Sequence, residues 1–232
     1  MKVRIKFSKH GAMKFIGHLD IMRYFQKAIR RSDIDIAYST GFSPHQIMSF
    51  AMPLGVGLES DGEYFDVEMN SIVSCEDILT RLNAQMVEGM HILNVRVLPE
   101  NVGNAMASVA AARYRISFRQ GKEPSFPWKE MLADFLGQES IFVIKQTKKS
   151  EKELDLRPAI YEMFLESDSI VMLVDASSAG NIKPTLVMEA FYAHASHDQE
   201  PLGEFDLEIT RMETYANAGT AEAPVFVPLD EI

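Results

Sequence analysis

"VRIKF", residues 3–7, is the stretch on which the fold turns. Val3, Ile5 and Phe7 alternate with Arg4 and Lys6, a period of two that puts apolar side chains on one face of a strand and cations on the other. The period then changes. Leu19, Met22, Phe25 and Ile29 recur at steps of three and four, the stripe of an amphipathic helix. A Gly- and Pro-containing loop follows, "YSTGFSPH" (38–45), then a strand over about 46–52 and a turn signal at Asp61-Gly62. "EYFDVEM" (63–69) reads as a third strand. Ser74, with Glu76 and Asp77 behind it, starts a helix whose apolar face is Ile78, Leu79, Leu82 and Met86. "ILNVRVL" (92–98) closes the set before Pro99. The order is β-α-β-β-α-β, the split βαβ pattern of ferredoxin-like domains.

The same order is expected again downstream. "RYRISFR" (113–119) alternates as a strand, and "PWKEMLADFLG" (127–137) is a helix opened by Pro127 and closed by Gly137. "SIFVIKQT" (140–147) and "SIVMLVDA" (169–176) read as the next two strands, separated by a charged segment, 148–168. "PTLVMEAFYAHA" (184–195) is a helix and "FDLEITRME" (205–213) the last strand. The expected class is therefore α+β, two tandem ferredoxin-like units over residues 1–100 and 113–215. The Ala-rich stretch 101–112 lies between them, and residues 216–232 form a tail.

Composition narrows the function. In 232 residues, 47% hydrophobic and 24% charged, no apolar run approaches the ~18 residues of a membrane span. "MKVRIKFSK" is too polar for a signal peptide, so the expectation is a soluble cytoplasmic protein away from membranes. A single cysteine, Cys75, excludes a disulfide framework and any cluster needing several thiolates, and no cofactor is expected. Charge is uneven. Residues 1–31 hold nine Lys and Arg against Asp20, a local +8 in a chain of net −10, so the other 201 residues carry −18.

Much of that local charge sits on the first helix. At about 100° per residue, Arg23, Lys27, Arg30 and Arg31 share roughly a third of its circumference, opposite the apolar stripe. They suit either a solvated face favoured by the helix dipole or a surface that follows a nucleic-acid backbone. Lys2, Arg4 and Lys6, and later Arg113, Arg115 and Arg119, would line the outer face of each unit's first strand. Asp66, Glu68, Asp206 and Glu208 on neighbouring strands are expected to pair with them. A candidate pocket combines His18 and Asp20 at the helix start with Gly41, Phe42, Pro44 and His45 of the loop. His10, His18 and His45 lack zinc-ligand spacing, and no metal site is expected. "GVGLES" (55–60) has no phosphate-loop lysine, and the nucleophile-elbow, zincin and dinucleotide motifs are absent. No catalytic centre is legible.

Residues 7–69 resemble the radical SAM-associated family of uncharacterised bacterial proteins. The resemblance rests on His18-Leu19-Asp20, the pair Arg30-Arg31, the loop Gly41-Phe42-x-Pro44, and Pro53-Leu54-x-Val56-Gly57. It continues more thinly through "KELDLRPAIYEM" (152–163). Gly17 departs from the serine that the family often carries there. The resemblance implies an accessory module working beside a radical SAM enzyme in an RNA-related setting. The chain cannot be that enzyme, whose cluster takes three cysteines. The expected function is non-catalytic binding of RNA, or of an RNA-derived substrate, through the basic helix and the loop. The alternatives are a metal-independent RNA endonuclease, which would carry a glycine-rich loop near its C-terminus, and a protein-binding adaptor. Residues 200–232 hold only Gly203 and Gly219.

Overall fold

In the computed structural model, which describes residues 1–100, 102–146, 151–196 and 201–232, the alternating N-terminal stretch forms strand β1 (Lys2–Lys9). The fold is mixed α/β with a large, mostly antiparallel sheet. The chain divides into two compact units, Met1–Ala110 with Arg211–Ile232, and Ala111–Thr210.

In the first unit β1 leads through a short 3-10 turn to helix α1 (His18–Arg31), then β2 (Met48–Phe50), β3 (Glu59–Glu68), α2 (Cys75–Asn83) and β4 (Met90–Val97). β1 lies between β3 and β4, antiparallel to both, and β2 pairs with the end of β3, giving the order β4-β1-β3-β2. Inward parity puts Val3, Ile5 and Phe7 into the core, where α1 contributes Ile21, Phe25 and Ile29 and α2 adds Ile78 and Leu82. Phe7, Phe25, Phe50 and Phe65 form its aromatic centre, with ring centroids 4.7 Å apart for Phe7–Phe25 and 4.6 Å for Phe25–Phe65. Ser74 caps α2 by accepting the Asp77 amide at 3.0 Å. Gly17 begins α1 without a side-chain cap.

The outer face of β1 is closed. Arg4, fully buried, makes a two-pronged pair with Asp66 at 2.8 and 3.0 Å and donates to the carbonyls of Leu229 (2.8 Å) and Gly103 (3.3 Å). Asp66 also accepts the Ala105 amide, at 2.7 Å, from the short helix α3 (Ala105–Ser108). Lys6 pairs with Glu213. Cross-strand pairing thus uses Asp66 as expected, and a charge this deeply buried is not a surface for RNA.

The second unit begins with β5 (Ala111–Phe118) and α4 (Trp128–Leu136), which Gly137 ends. "SIFVIKQT" is not a strand of the main sheet: β6 (Phe142–Gln146) folds back on β7 (Glu151–Asp155) as a separate two-stranded ladder. Thr147 and residues 148–150 of the expected charged segment lie outside the described residues. The strand beside β9 (Ser169–Asp175) is β8 (Ile160–Glu166), drawn from the stretch read as a charged connector. Its charges have a structural use: Glu162 and Glu166 pair with Arg113 and Arg115, each at 2.8 Å, where Asp206 and Glu208 were the expected partners. Helix α5 (Pro184–Ser196) buries Val187, Met188 and Phe191, the last against Phe135 at 5.4 Å. The sheet order is β10-β5-β9-β8, with β10 (Leu207–Asn217) returning the chain to the first unit from Arg211 onward.

Residues 216–232 are not a tail. β11 (Phe226–Pro228) pairs with β10, and the fully buried Leu229 lies in the turn that follows. The hydroxyl of Tyr64 lies within hydrogen-bond distance of Asp230 (2.9 Å) and Glu213 (2.7 Å), which fastens the segment to the first unit. Asp61-Gly62 is likewise no turn but part of β3. A Cβ on Gly62 would stand 2.5 Å from the Cα of Glu213, so the glycine there serves close backbone approach.

Candidate nucleic-acid interface

α1 is placed by its apolar stripe. With Ile21, Phe25, Ala28 and Ile29 buried, helical geometry turns Arg23, Lys27, Arg30 and Arg31 to solvent, and all four are exposed. They are not equivalent. Arg23 is held by Asp20 one turn earlier, at 3.1 Å. The side chains of Lys27, Arg30 and Arg31 have no ion pair or hydrogen bond among the described residues. Other cations of the unit do: Arg4 with Asp66, Lys14 with Glu59 at 3.2 Å, Arg81 with Asp77 at 3.1 Å, and Arg211 with Glu63 at 2.6 Å.

The loop expected beside α1 is a narrow two-sided projection. Ile47 N–H donates to the carbonyl of Ala37 (3.0 Å) and Ser39 N–H to that of His45 (2.8 Å), while Tyr38 and Gln46 form an isolated bridge. Gly41 turns the tip at φ +115°, a backbone conformation that favours glycine, with Pro44 two residues beyond Phe42. Phe42 is wholly exposed, and Tyr38 is 47% exposed. His45 is occupied by Ser39, whose hydroxyl lies 2.8 Å from Nδ1. The base of the loop is fixed to the helix because the buried Gln46 donates through Nε2 to the Gln26 carbonyl at 3.2 Å.

The structure does not gather the candidate pocket residues into one site. His18 packs edge-on against Phe50 at 5.1 Å and lines a cavity of about 10 Å³, room for roughly one water, with Phe7, Lys9, Ile21, Pro53, Leu54 and Glu63. Gly41, Phe42, Pro44 and His45 do not line it. Asp20 is spent on Arg23. His10, also apart from His18 and His45, sits between Glu59 (3.2 Å) and Asp61 (2.8 Å). Burial pulls its imidazolium pKa down, but hydrogen bonds to both carboxylates outweigh that and leave it above 6.5. No metal-binding group of three acidic, His or Cys side chains occurs among the described residues.

Sequence reasoning missed Lys9, Glu63 and Arg211. Lys9 is 2% exposed, donates to the Ile16 carbonyl at 3.1 Å, and has its pKa lowered by burial against the opposing pull of Glu63. Its parity was the available signal: residue 9 continues the inward series 3, 5, 7, where a lysine is out of place.

A family profile described as an uncharacterised protein conserved in bacteria, DUF2344, matches residues 2–184. The chain belongs to that family. The matched span covers β1 through β9, including α1 and its loop. No functionally curated protein matches the chain. Among solved structures, a chain of the crystal structure of a Cbf5-Nop10-Gar1 complex aligns with 91% of this chain at 7% identity and TM-score 0.47. The match takes in 48% of that chain, so this protein spans about half its length.

Proposed function

We propose that the chain is a non-catalytic accessory module that holds RNA, or an RNA-derived substrate, on the outer face of α1 for a radical SAM enzyme. One observation carries the binding half of this reading. Lys27, Arg30 and Arg31 lie exposed along one helix face without partners among the described residues, in a unit whose other arginines and lysines mostly find carboxylates. Three cations on one face suit a string of phosphates. The enzyme half rests on the sequence resemblance, through His18-Leu19-Asp20, Arg30-Arg31 and the Gly41-Phe42-x-Pro44 loop. Radical chemistry would lie with the partner, since one cysteine is too few for its cluster. The strand orders β4-β1-β3-β2 and β10-β5-β9-β8 support reading both units as ferredoxin-like, the second interrupted by the β6–β7 hairpin.

The test is a salt series. Fluorescence anisotropy of a labelled single-stranded oligoribonucleotide should give a log–log salt slope of about −2 for three phosphate contacts, at roughly 0.7 each. Replacing Lys27 and Arg31 by Gln should make that slope shallower by about 1.4. Unchanged affinity in the double variant, or no binding by the parent at low salt, would overturn the reading.

A further inference from the structure

Phe42 presents a problem that the cations alone do not solve. A phenylalanine at full exposure forfeits the stabilisation that burial gives, yet the loop is built to hold it out. The ladder from Ala37–Ile47 to Ser39–His45, the positive φ of Gly41, and the Ser39–His45 side-chain contact stiffen the projection. The Gln46–Gln26 hydrogen bond fixes its base to α1. In an α-helix the carbonyl of residue 26 points along the axis toward residue 30, so the anchor falls within the helical turn that runs from Gln26 to Arg30 and includes Lys27. Tyr38, half-exposed, stands at the base of the same projection beside Gln46.

We infer that this loop and α1 form one platform for single-stranded nucleic acid, with Phe42 and Tyr38 stacking on bases and Lys27, Arg30 and Arg31 meeting the phosphates. The inference rests on the RNA-binding reading above and sharpens it to a strand whose bases are free. Cations with exposed aromatics beside them form the combination that holds single strands without reading sequence. A duplex keeps its bases stacked on one another and leaves Phe42 nothing to stack on. Charge selects the occupant: the free side chains of this face are cationic, whereas the chain as a whole carries −10.

The experiment uses the full chain and four labelled probes: oligouridylate, an abasic ribose-phosphate oligomer and an RNA duplex of equal length, and polyglutamate. Oligouridylate should bind the parent at least about tenfold more tightly than the abasic oligomer, at the low end of what one base–aromatic stack contributes. Phe42→Ala should remove most of that preference, leaving the abasic affinity and the salt slope unchanged, and Tyr38→Ala should remove a smaller part of it. Phe42→Trp supplies a spectroscopic check, since emission from the new indole should be quenched by oligouridylate and not by the abasic oligomer. Equal binding of oligouridylate and the abasic oligomer by the parent would overturn stacking while leaving phosphate binding in place. Duplex bound as tightly as the single strand, or polyglutamate bound as tightly as oligouridylate, would also overturn it. Binding of none of these probes would overturn this inference together with the RNA reading.

Discussion

Arg4→Met is the sharpest test of how the first unit is held together. The guanidinium is 0% exposed and makes four hydrogen bonds: two to Asp66, one to the Leu229 carbonyl and one to the Gly103 carbonyl. Methionine fills most of the apolar stem's space but leaves the Asp66 carboxylate buried with the Ala105 amide as its one remaining hydrogen bond among the described residues. Removing one partner of a buried pair costs about 3–5 kcal/mol, chiefly because the other charge stays desolvated. With a urea m-value of about 2 kcal/mol/M, the unfolding midpoint followed by circular dichroism should fall by about 1.5–2.5 M. Arg4→Lys should cost less, because an ammonium can still meet Asp66 while leaving at least one carbonyl unserved. The double variant Arg4→Met, Asp66→Leu should recover part of the loss by removing the stranded carboxylate. Recovery should be incomplete because Ala105 N–H and the carbonyls of Gly103 and Leu229 lose their partners. A loss below about 1 kcal/mol in Arg4→Met would refute the reasoning, because a site that relaxes so freely is not one that excludes water.

Two further outcomes follow from the first unit. Gly62→Ala should destabilise by about 1–3 kcal/mol in the same urea assay, as overpacking does, because its Cβ would meet the backbone of Glu213 at 2.5 Å; a neutral effect would mean that β10 moves aside at little cost. His10 should titrate above 6.5 by NMR, and the stabilisation it gives relative to His10→Gln should be complete below pH 6.5 and fade as pH rises through the folded-state value; stability that rises over that range would contradict the bridge to Glu59 and Asp61.

The parts of this fold that sequence made legible are those where one physical signal acted alone. β1 and α1 announce themselves by clean periods of two and of three to four, and the Ser74 cap by a residue type with one common use at a helix start. Failures came where two signals competed. Asp61-Gly62 has turn chemistry, but its glycine answers to Glu213, about 150 residues away, which no local window contains. In the second unit, "FVIKQ" reads as an apolar strand, yet β8 takes the place beside β9, where it buries Ile160 and Met163 while its Glu162 and Glu166 pair with Arg113 and Arg115 at the surface. The candidate site divided in the same way. Exposure of the α1 cations follows from helical phase, whereas the packing of His18 on Phe50 and the contact of His45 with Ser39 are tertiary and loop details that no periodicity carries.

The charge asymmetry of the sequence becomes more informative once partners are assigned. A local +8 in an acidic chain suits two accounts: neutralisation of the protein's own carboxylates, or an anion from outside. The residues divide between them. Arg4, Lys6, Lys14 and Arg23 are matched to Asp66, Glu213, Glu59 and Asp20, and Lys9 is withdrawn into the core. Internal neutralisation therefore accounts for Arg4 and Lys6 of the strand, Lys14 of the turn and Arg23 of α1. It leaves Lys2, at the start of β1, and Lys27, Arg30 and Arg31, which cluster on one face at the helix end where the dipole already favours cations. The dipole explains why such charges are tolerated there, at a few tenths of a kcal/mol to about 1 kcal/mol each. It does not explain why a loop pinned at Gln26 should hold out a bare phenylalanine. The platform proposed above would answer to both at once, with phosphates for the cations and free bases for the aromatic ring.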